Sequence, residues 1–148
     1  MTNKLTPETR LIDLPSFGAE LPGEGGYFAG IAPTSDGGIC VPTSDGGICA
    51  LILAPETCPP STWIEAMRWA AGLEIEGHTD FMLPTRTDQL LLFATVGNLF
   101  ASDWYWSGMR YAIHDEFAWV QDFGNGYQYY ERKSHRHPAR AIRRLTIR

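Results

Sequence analysis

The spacing of apolar residues predicts a first amphipathic helix near the middle of the chain. One stripe at helical intervals is formed by Trp63, Ala66, Met67, Ala70 and Ala71. Thr62 stands three residues before Glu65, which is the spacing of a capping box. Gly72 follows the stripe and marks the predicted end of the helix.

A second helix is predicted where the chain leaves an extended segment. Leu83 must be extended because the ring of Pro84 crowds the preceding residue out of the α region. Thr85 then occupies an N-cap position three residues before Asp88, so its oxygen is available for the first-turn amides. We predict a helix over residues 86–96 that ends at a Gly-Asn pair. The residues expected to face the core are Leu90, Phe93, Ala94 and Val96.

Strands are predicted before the first helix. Residues 27–32 are aromatic and branched, and residues 49–54 form a continuous apolar run that suits a buried central strand. The prolines of residues 55–60 are expected to end that run. The octapeptide at residues 33–40 is repeated without change at residues 42–49, and its Ser-Asp-Gly-Gly favours a hairpin turn.

Aromatic strands are predicted after the second helix. Residues 104–107 and 117–123 have strand character, and Gly124-Asn125-Gly126 signals a hairpin turn before residues 127–132. The pattern leaves open whether Tyr130 or the tyrosine before it faces outward. Two-residue alternation on the second strand places on one face Phe117, Trp119 and Phe123.

A last strand is predicted over residues 139–147. Arg143 falls on its inward side and needs an acidic or carbonyl partner, because a buried unpaired charge is expensive. The inward apolar positions are Ala139, Ala141, Leu145 and Ile147, and the outward arginines are Arg140, Arg144 and Arg148.

The order of these elements indicates an α+β fold. Two helices pack on an antiparallel, β-rich C-terminal half, and an N-terminal β-hairpin precedes them. The length of 148 residues favours one domain, which we place at residues 27–148. Residues 1–26 are rich in Pro and Gly and are predicted to form an irregular N-terminal arm, through which homo-oligomerisation is one alternative.

Three motifs in order resemble a known family. They are D-F-M-L-P-T-R-x-D-Q-L at residues 80–90, W-Y-W-S-G at 104–108 and A-R-A-I-R-R-L at 139–145. They make about residues 50–148 similar to the Lcl C-terminal domain family, a family of unknown function. The resemblance implies a C-type-lectin-like fold, distantly like the formylglycine-generating enzyme, and a binding module of phage and bacterial surface proteins. Phe81 and Met82 stand where Trp-Arg is more usual, and Ala141 where a Cys is common, which argues against a disulfide-dependent, extracellular role.

Charge is unevenly distributed along a chain whose formal net charge is −5. Acidic residues predominate in residues 1–100, whereas the charged residues of 132–148 are all basic. This basic segment either attracts an anionic partner or pairs with the acidic front of the same domain.

Cysteine usage and hydropathy bear on location. Cys40, Cys49 and Cys58 are an odd and sparse set, which favours reduced thiols over a disulfide scaffold. No apolar run reaches membrane-spanning length, and the start of the chain has no apolar signal region. We therefore expect no membrane insertion and no secretion by a signal peptide, and a location in the host-cell cytoplasm or in a virion.

The sequence contains no recognisable catalytic motif such as G-x-S-x-G, a P-loop, H-E-x-x-H or C-x-x-C. His135 and His137 fall on one side of a strand and are half of a metal site at most, so a solvated loop is the preferred interpretation. We predict that the protein is not an enzyme and that it has no catalytic residue, cofactor or metal.

The loops and hairpins of residues 109–137 combine Tyr and Arg with His, Asn and Asp. This mixture is typical of a recognition surface, because Tyr and Arg give large contact areas and the smaller polar residues give adaptable hydrogen bonds. The predicted partner-binding residues are Arg110, Tyr111, His114, Asp115, Asn125, Tyr127, Tyr130, Arg132, His135 and Arg136.

These residues and the resemblance favour a non-catalytic binding module of phage or prophage type that recognises a bacterial surface glycan or protein. The alternative is an intracellular phage inhibitor that acts by protein–protein binding on a host defence protein or complex. Direct nucleic-acid binding by residues 132–148 ranks below both, because the last strand uses part of that charge structurally.

Overall fold

The computed structural model describes residues 14–31 and 48–147, which form two helices and seven strands. The strands are β1 (Glu20–Leu21), β2 (Gly26–Ile31), β3 (Ile48–Ser61), β4 (Trp104–Arg110), β5 (Phe117–Asp122), β6 (Gln128–Arg132) and β7 (His137–Ile147). The helices are α1 (Trp63–Ala71) and α2 (Arg86–Val96). The architecture is α+β, as predicted.

The strands form two antiparallel sheets with the orders β1-β2-β3-β7 and β4-β5-β6. β3 is central in the first sheet, and its segment from Leu51 to Ala54 is fully buried. The prediction of a buried central strand is therefore confirmed. The turns predicted for the repeated octapeptide fall largely on residues 32–47, outside the described residues.

The prolines of residues 55–60 do not end β3, contrary to the prediction. The strand continues to Ser61, with register shifts between Leu53 and Thr57 and again after Cys58. Pairing with β2 ends at Leu53, so beyond that residue only β7 is hydrogen-bonded to β3. Prolines are tolerated there because an edge strand with bulges leaves backbone amides outside the ladder.

Both helices begin with the predicted capping boxes. Thr62 Oγ1 accepts from the Glu65 amide at 3.4 Å, and Glu65 Oε1 accepts from the Thr62 amide at 2.9 Å. Thr85 and Asp88 make the corresponding bonds at 3.1 and 2.9 Å. Neither helix of the described residues is long and apolar enough to cross a membrane.

The buried face of α2 differs from the prediction. Leu90 is 50% exposed and Ala94 is exposed, whereas Asp88 and Gln89 are buried beside Leu92 and Val96. The capping box turns Asp88 inward, where its Oδ2 accepts a 2.6 Å bond from Arg144. Apolar periodicity missed this face because two of its positions are polar. In α1, likewise, the last residue of the predicted stripe, Ala71, is exposed.

The three-stranded sheet has a core cluster on each face. On one face, Trp106 and Val120 pack with residues of α1 and β7. On the other, Tyr105 and Phe123 pack with α2, their rings 5.3 Å apart. The alternation placed Phe117, Trp119 and Phe123 on this α2 side, and only Phe123, just after β5, is buried.

The arginines of β7 are mostly used within the fold. Arg143 is buried as predicted and binds Asp80 at 2.7 Å and Glu24 at 3.2 Å. Arg140 was predicted to face outward but is buried, because both faces of β7 are covered, and it donates to the carbonyls of Ala54 and Leu99. The predictions for Arg148 and for the Ile147 side chain fall outside the described part of the chain.

The described part of the predicted N-terminal arm packs against residues 27–147. β1 pairs with β2, Leu21 is fully buried, and Glu24 binds the last strand. Gly23 and Gly25 have positive φ angles of 84° and 86°, which allow the tight turn between the two strands. The turn glycines are thus part of an ordered hairpin, and the domain boundary at residue 26 stays a prediction. Oligomerisation through the arm stays a prediction.

The cysteines differ from the prediction of three reduced thiols. Cys58 is a buried free thiol, but Cys49 is disulfide-bonded, and Cys40 lies outside the described residues. An odd number of cysteines leaves one thiol over and does not prevent a pair.

Candidate functional site

The candidate site is an aromatic ledge on the part of the three-stranded sheet that α2 leaves open. The ledge consists of Tyr111, Phe117, Trp119, Tyr129 and Tyr130. The register of β5 and β6 places Tyr130 opposite Trp119, so these two rings share one face of the sheet. The alternate residues Ala118 and Val120 are buried on the other face. The ledge is thus anchored by a packed sheet, with Tyr129 exposed and its other four rings half-buried.

Three tyrosines of the ledge form a stack. Tyr130 is the middle ring, with Tyr111 at 4.4 Å and Tyr129 at 4.6 Å between ring centres. Phe117 and Trp119 meet Tyr130 edge-on at 5.4 and 6.1 Å. Stacked and edge-to-face contacts are the favoured geometries for aromatic pairs, so the rings hold one another in place. The register places Tyr130 opposite Trp119 and Tyr129 opposite Val120, so Tyr129 joins the stack from the edge of the sheet. Of the two tyrosines whose orientation was left open, Tyr129 is the exposed one and Tyr130 is half-buried.

The closeness of Tyr130 also affects the titration of Tyr129. A side-chain hydrogen bond with Tyr130 raises the pKa of Tyr129, and repulsion between the two phenolates acts in the same direction. Tyr129 is 58% exposed on edge strand β6, so its ring is accessible to a ligand.

Two guanidinium groups lie against ledge rings. The Arg86 guanidinium carbon is 3.5 Å from the centre of the Trp119 ring, and that of Arg132 is 5.1 Å from the centre of Phe117. Gln128 holds Arg86 by accepting from its Nε at 3.1 Å and donating to its carbonyl at 2.8 Å. Burial lowers the pKa of Arg86, but a guanidinium remains charged in proteins. The ledge therefore combines ring faces with fixed positive charge.

Several predicted partner-binding residues lie on the ledge or beside it. Tyr111 and Tyr130 belong to it, the Arg132 guanidinium lies beside it over Phe117, and the His114 ring is 5.7 Å from Phe117. The predicted set lacks Arg86 and three of the ledge rings, which are Phe117, Trp119 and Tyr129. Arg86 was assigned only to a helix start, and nothing in its local sequence indicates that it crosses to a strand more than thirty residues away.

The remaining predicted residues lie elsewhere. Asn125 and Tyr127 belong to the β5–β6 turn, where Asn125 Oδ1 accepts from the Tyr127 amide at 2.9 Å. Arg110 and Asp115 form an exposed ion pair at 2.7 Å. Arg136 pairs with Glu65 of α1 at 3.4 Å. This last pair, with those of Arg143 and Arg144, supports the interpretation that the basic segment pairs within its own domain.

The two histidines near β7 flank Glu131. His135 Nδ1 lies 2.8 Å from one carboxylate oxygen, and His137 Nε2 lies 3.5 Å from the other. Burial lowers the pKa of His137, and the negative charges of Glu131 and Asp103 only partly oppose this. Within residues 14–31 and 48–147, no group of three or more His, Cys, Asp and Glu side chains is placed to hold a metal ion.

The chemistry available on the ledge is that of ring stacking, cation–π contact and hydrogen bonding. Its neighbouring carboxylates, Asp115 and Glu116, are each paired with an exposed arginine. Comparison of the chain with protein-family models gives no match, and comparison with curated proteins gives none either.

Proposed function

We propose that the protein is a non-catalytic binding module and that the aromatic ledge is its recognition surface for a bacterial surface glycan or protein. The observation that carries the proposal is the three-tyrosine stack with guanidinium groups over the neighbouring rings. The Lcl-like, C-type-lectin-like identity of the domain belongs to the same proposal, and the two helices on an antiparallel sheet support it.

The stack suits a glycan because a sugar ring has an apolar C–H face and a polar rim. The C–H face of the sugar packs on an aromatic ring. Its hydroxyl groups form hydrogen bonds with the tyrosine hydroxyls and the arginine guanidinium groups. Tyr130 is held on both sides by its neighbours, so little conformational entropy is lost when a ligand binds. The same large, rigid rings would serve as anchors for a protein surface.

A glycan array and a pull-down from bacterial envelope fractions test this proposal. We expect Tyr129→Ala and Arg132→Ala to weaken binding of the captured ligand by about tenfold or more each, as is typical for anchor residues. Tyr127→Ala is the matched control, because Tyr127 is 70% exposed but lies outside the ledge, and it should retain binding within about twofold.

Two results would contradict the proposal: no ligand in either assay, or a ligand that the Tyr129 and Arg132 variants bind as tightly as the unaltered protein. Capture of a host defence protein that depends on the ledge would instead favour the inhibitor alternative.

A further inference from the structure

A groove separate from the ledge, which we call the methionine groove, lies where the motif of residues 80–90 meets the motif of residues 104–108. Its volume is about 560 Å³. Its walls come from α1, from the extended segment before α2 and from the end of β4, and they include Trp63, Met67, Met82, Leu83, Met109 and Arg110. None of the five ledge residues lines it. The groove is therefore a candidate site separate from the ledge.

The junction of the two motifs is tightly specified. The Gly108 amide donates to the Pro84 carbonyl at 2.7 Å, and a Cβ on Gly108 would lie 3.0 Å from the Leu83 carbonyl oxygen. Glycine is required here because a side chain would push these two segments apart. Trp63 Nε1 also donates to the Ser107 carbonyl at 2.8 Å, which fixes α1 to the same strand.

A bulge in β4 brings Met109 to the groove. The β4–β5 register shifts between Trp106 and Arg110, and Ser107 Oγ accepts from the Met109 amide at 3.1 Å within the irregular stretch. Bulges re-aim side chains and are frequent beside functional sites. Here the bulge leaves Met109 37% exposed on the groove wall.

Methionine dominates the groove. All three methionines of the described residues line it, and Met82 and Met109 are each 37% exposed. Methionine is flexible and polarizable, so methionine-rich surfaces adapt to apolar side chains of different shape. This composition suits a peptide better than a single rigid small molecule.

The groove has one charge preference. Arg110 is the only ionisable residue among the described residues that line it. Its partner, Asp115, is outside the groove, and the side chains are 61% and 88% exposed, so the pair is weak and exchangeable. The carboxylate of a ligand can replace Asp115 as the partner of Arg110. A cationic group of a ligand would instead be repelled by Arg110.

From these observations we infer that the methionine groove docks a short apolar peptide segment of a partner protein that carries one acidic residue. The apolar side chains lie against the three methionines and Trp63, and the acidic residue takes the place of Asp115 on Arg110. This interaction does not rest on the ledge and is tested without its ligand.

The first test is a display selection of random peptides against the full chain. We expect the recovered peptides to combine apolar residues with an acid. In protein labelled at the methionine methyl groups, they should shift the NMR signals of Met67, Met82 and Met109. Failure to recover any peptide, or recovered peptides that leave these signals unmoved, would overturn the inference. The inference would also be overturned if the fatty acid decanoate shifted these signals and no peptide did.

The second test uses variants. Met82→Glu and Met109→Glu should each weaken binding of a recovered peptide by about tenfold, and Leu90→Glu, at a 50% exposed site outside the groove, is the matched control. Met82→Gln and Met109→Gln replace them if the charged variants unfold, with the same loss expected. Unchanged affinity in the folded groove variants would overturn the inference.

Asp115→Asn should change the affinity for the peptide in the opposite direction. Freeing Arg110 from its internal partner should strengthen binding of the acidic peptide by roughly two- to fivefold, the range of an exposed ion pair. Arg110→Gln should weaken binding and abolish the preference for the acidic residue. An unchanged preference in Arg110→Gln would contradict the assigned role.

Discussion

At the residue scale, His137 shows how burial and charge compete on one side chain. Its imidazole is 17% exposed, packs edge-on to Trp106 at 5.0 Å between ring centres, and lies near Glu131. Burial disfavours the charged form, and the negative charges of Glu131 and Asp103 compensate only in part. Protonation of His137 therefore costs folding free energy.

The first prediction concerns pH. Because the pKa of His137 is lower in the folded than in the unfolded state, the unfolded state takes up more protons as pH falls through the ordinary value of about 6.5. The contribution of His137 to stability is full above that pH and is lost as pH falls towards the folded-state pKa. His137→Gln should flatten the dependence of the unfolding free energy on pH between about 7.5 and 5.

Urea unfolding monitored by tryptophan fluorescence at a series of pH values measures this effect. His114→Gln, at an exposed histidine, is the control and should keep the slope of the unaltered protein. The same slope in the His137 variant and the unaltered protein would show that burial does not lower the pKa of His137.

At the element scale, the chain is specified most clearly where neighbours in sequence decide the structure. The two capping boxes and the ends of both helices follow from local spacing, and the sequence predicts them correctly. The buried face of α2 depends on Arg144, a partner far along the chain, and apolar periodicity cannot supply it. The same reason applies to the ledge: Tyr111, Tyr130 and Arg132 have recognisable composition, but Arg86 reaches Trp119 only through tertiary packing.

The second prediction concerns the junction of the extended segment before α2 with β4. Gly108→Ala should destabilise the protein by about 1–3 kcal/mol, because the new methyl group meets the Leu83 backbone, which has little freedom to move. Gly97→Ala is the matched control. Its Cβ would meet only Phe93 Cδ1 at 3.7 Å and its φ is −55°, so it should be neutral or stabilising.

Thermal and urea unfolding of both variants decide the outcome. Equal stability of Gly108→Ala and Gly97→Ala would contradict the tight approach of the two motifs. A folded Gly108→Ala should also show altered methionine methyl signals, since the same junction forms the groove.

At the scale of the whole molecule, Arg143 joins three distant segments. It belongs to the last strand, it binds Glu24 near the N-terminal hairpin, and it binds Asp80 in the segment before α2. The sequence indicates that Arg143 requires a partner, but it cannot say which of the many acidic residues of the first half provides one. The tertiary structure determines which acidic residues pair with Arg143.

The third prediction concerns this junction. Arg143→Met should destabilise the protein by about 3–5 kcal/mol, because it leaves the buried carboxylate of Glu24 without its counter-charge. Arg136→Met removes an exposed pair with Glu65 and should cost at most about 1 kcal/mol. Urea unfolding at neutral pH measures both, and similar small losses would show that Glu24 is not held as a buried charge.

The antiparallel pairing of β3 with β7 has a consequence for how the protein is made. These strands stand at the two ends of the continuous range 48–147, and the ladder between them involves β3 from Ile48 to Ser61. Such long-range contacts slow folding, because the entropy of closing the long intervening loop is lost before the contacts stabilise the chain. Almost all of residues 48–147 must therefore be synthesised before β3 can pair with β7, and until then the apolar edge of β3 is unpaired and prone to aggregation.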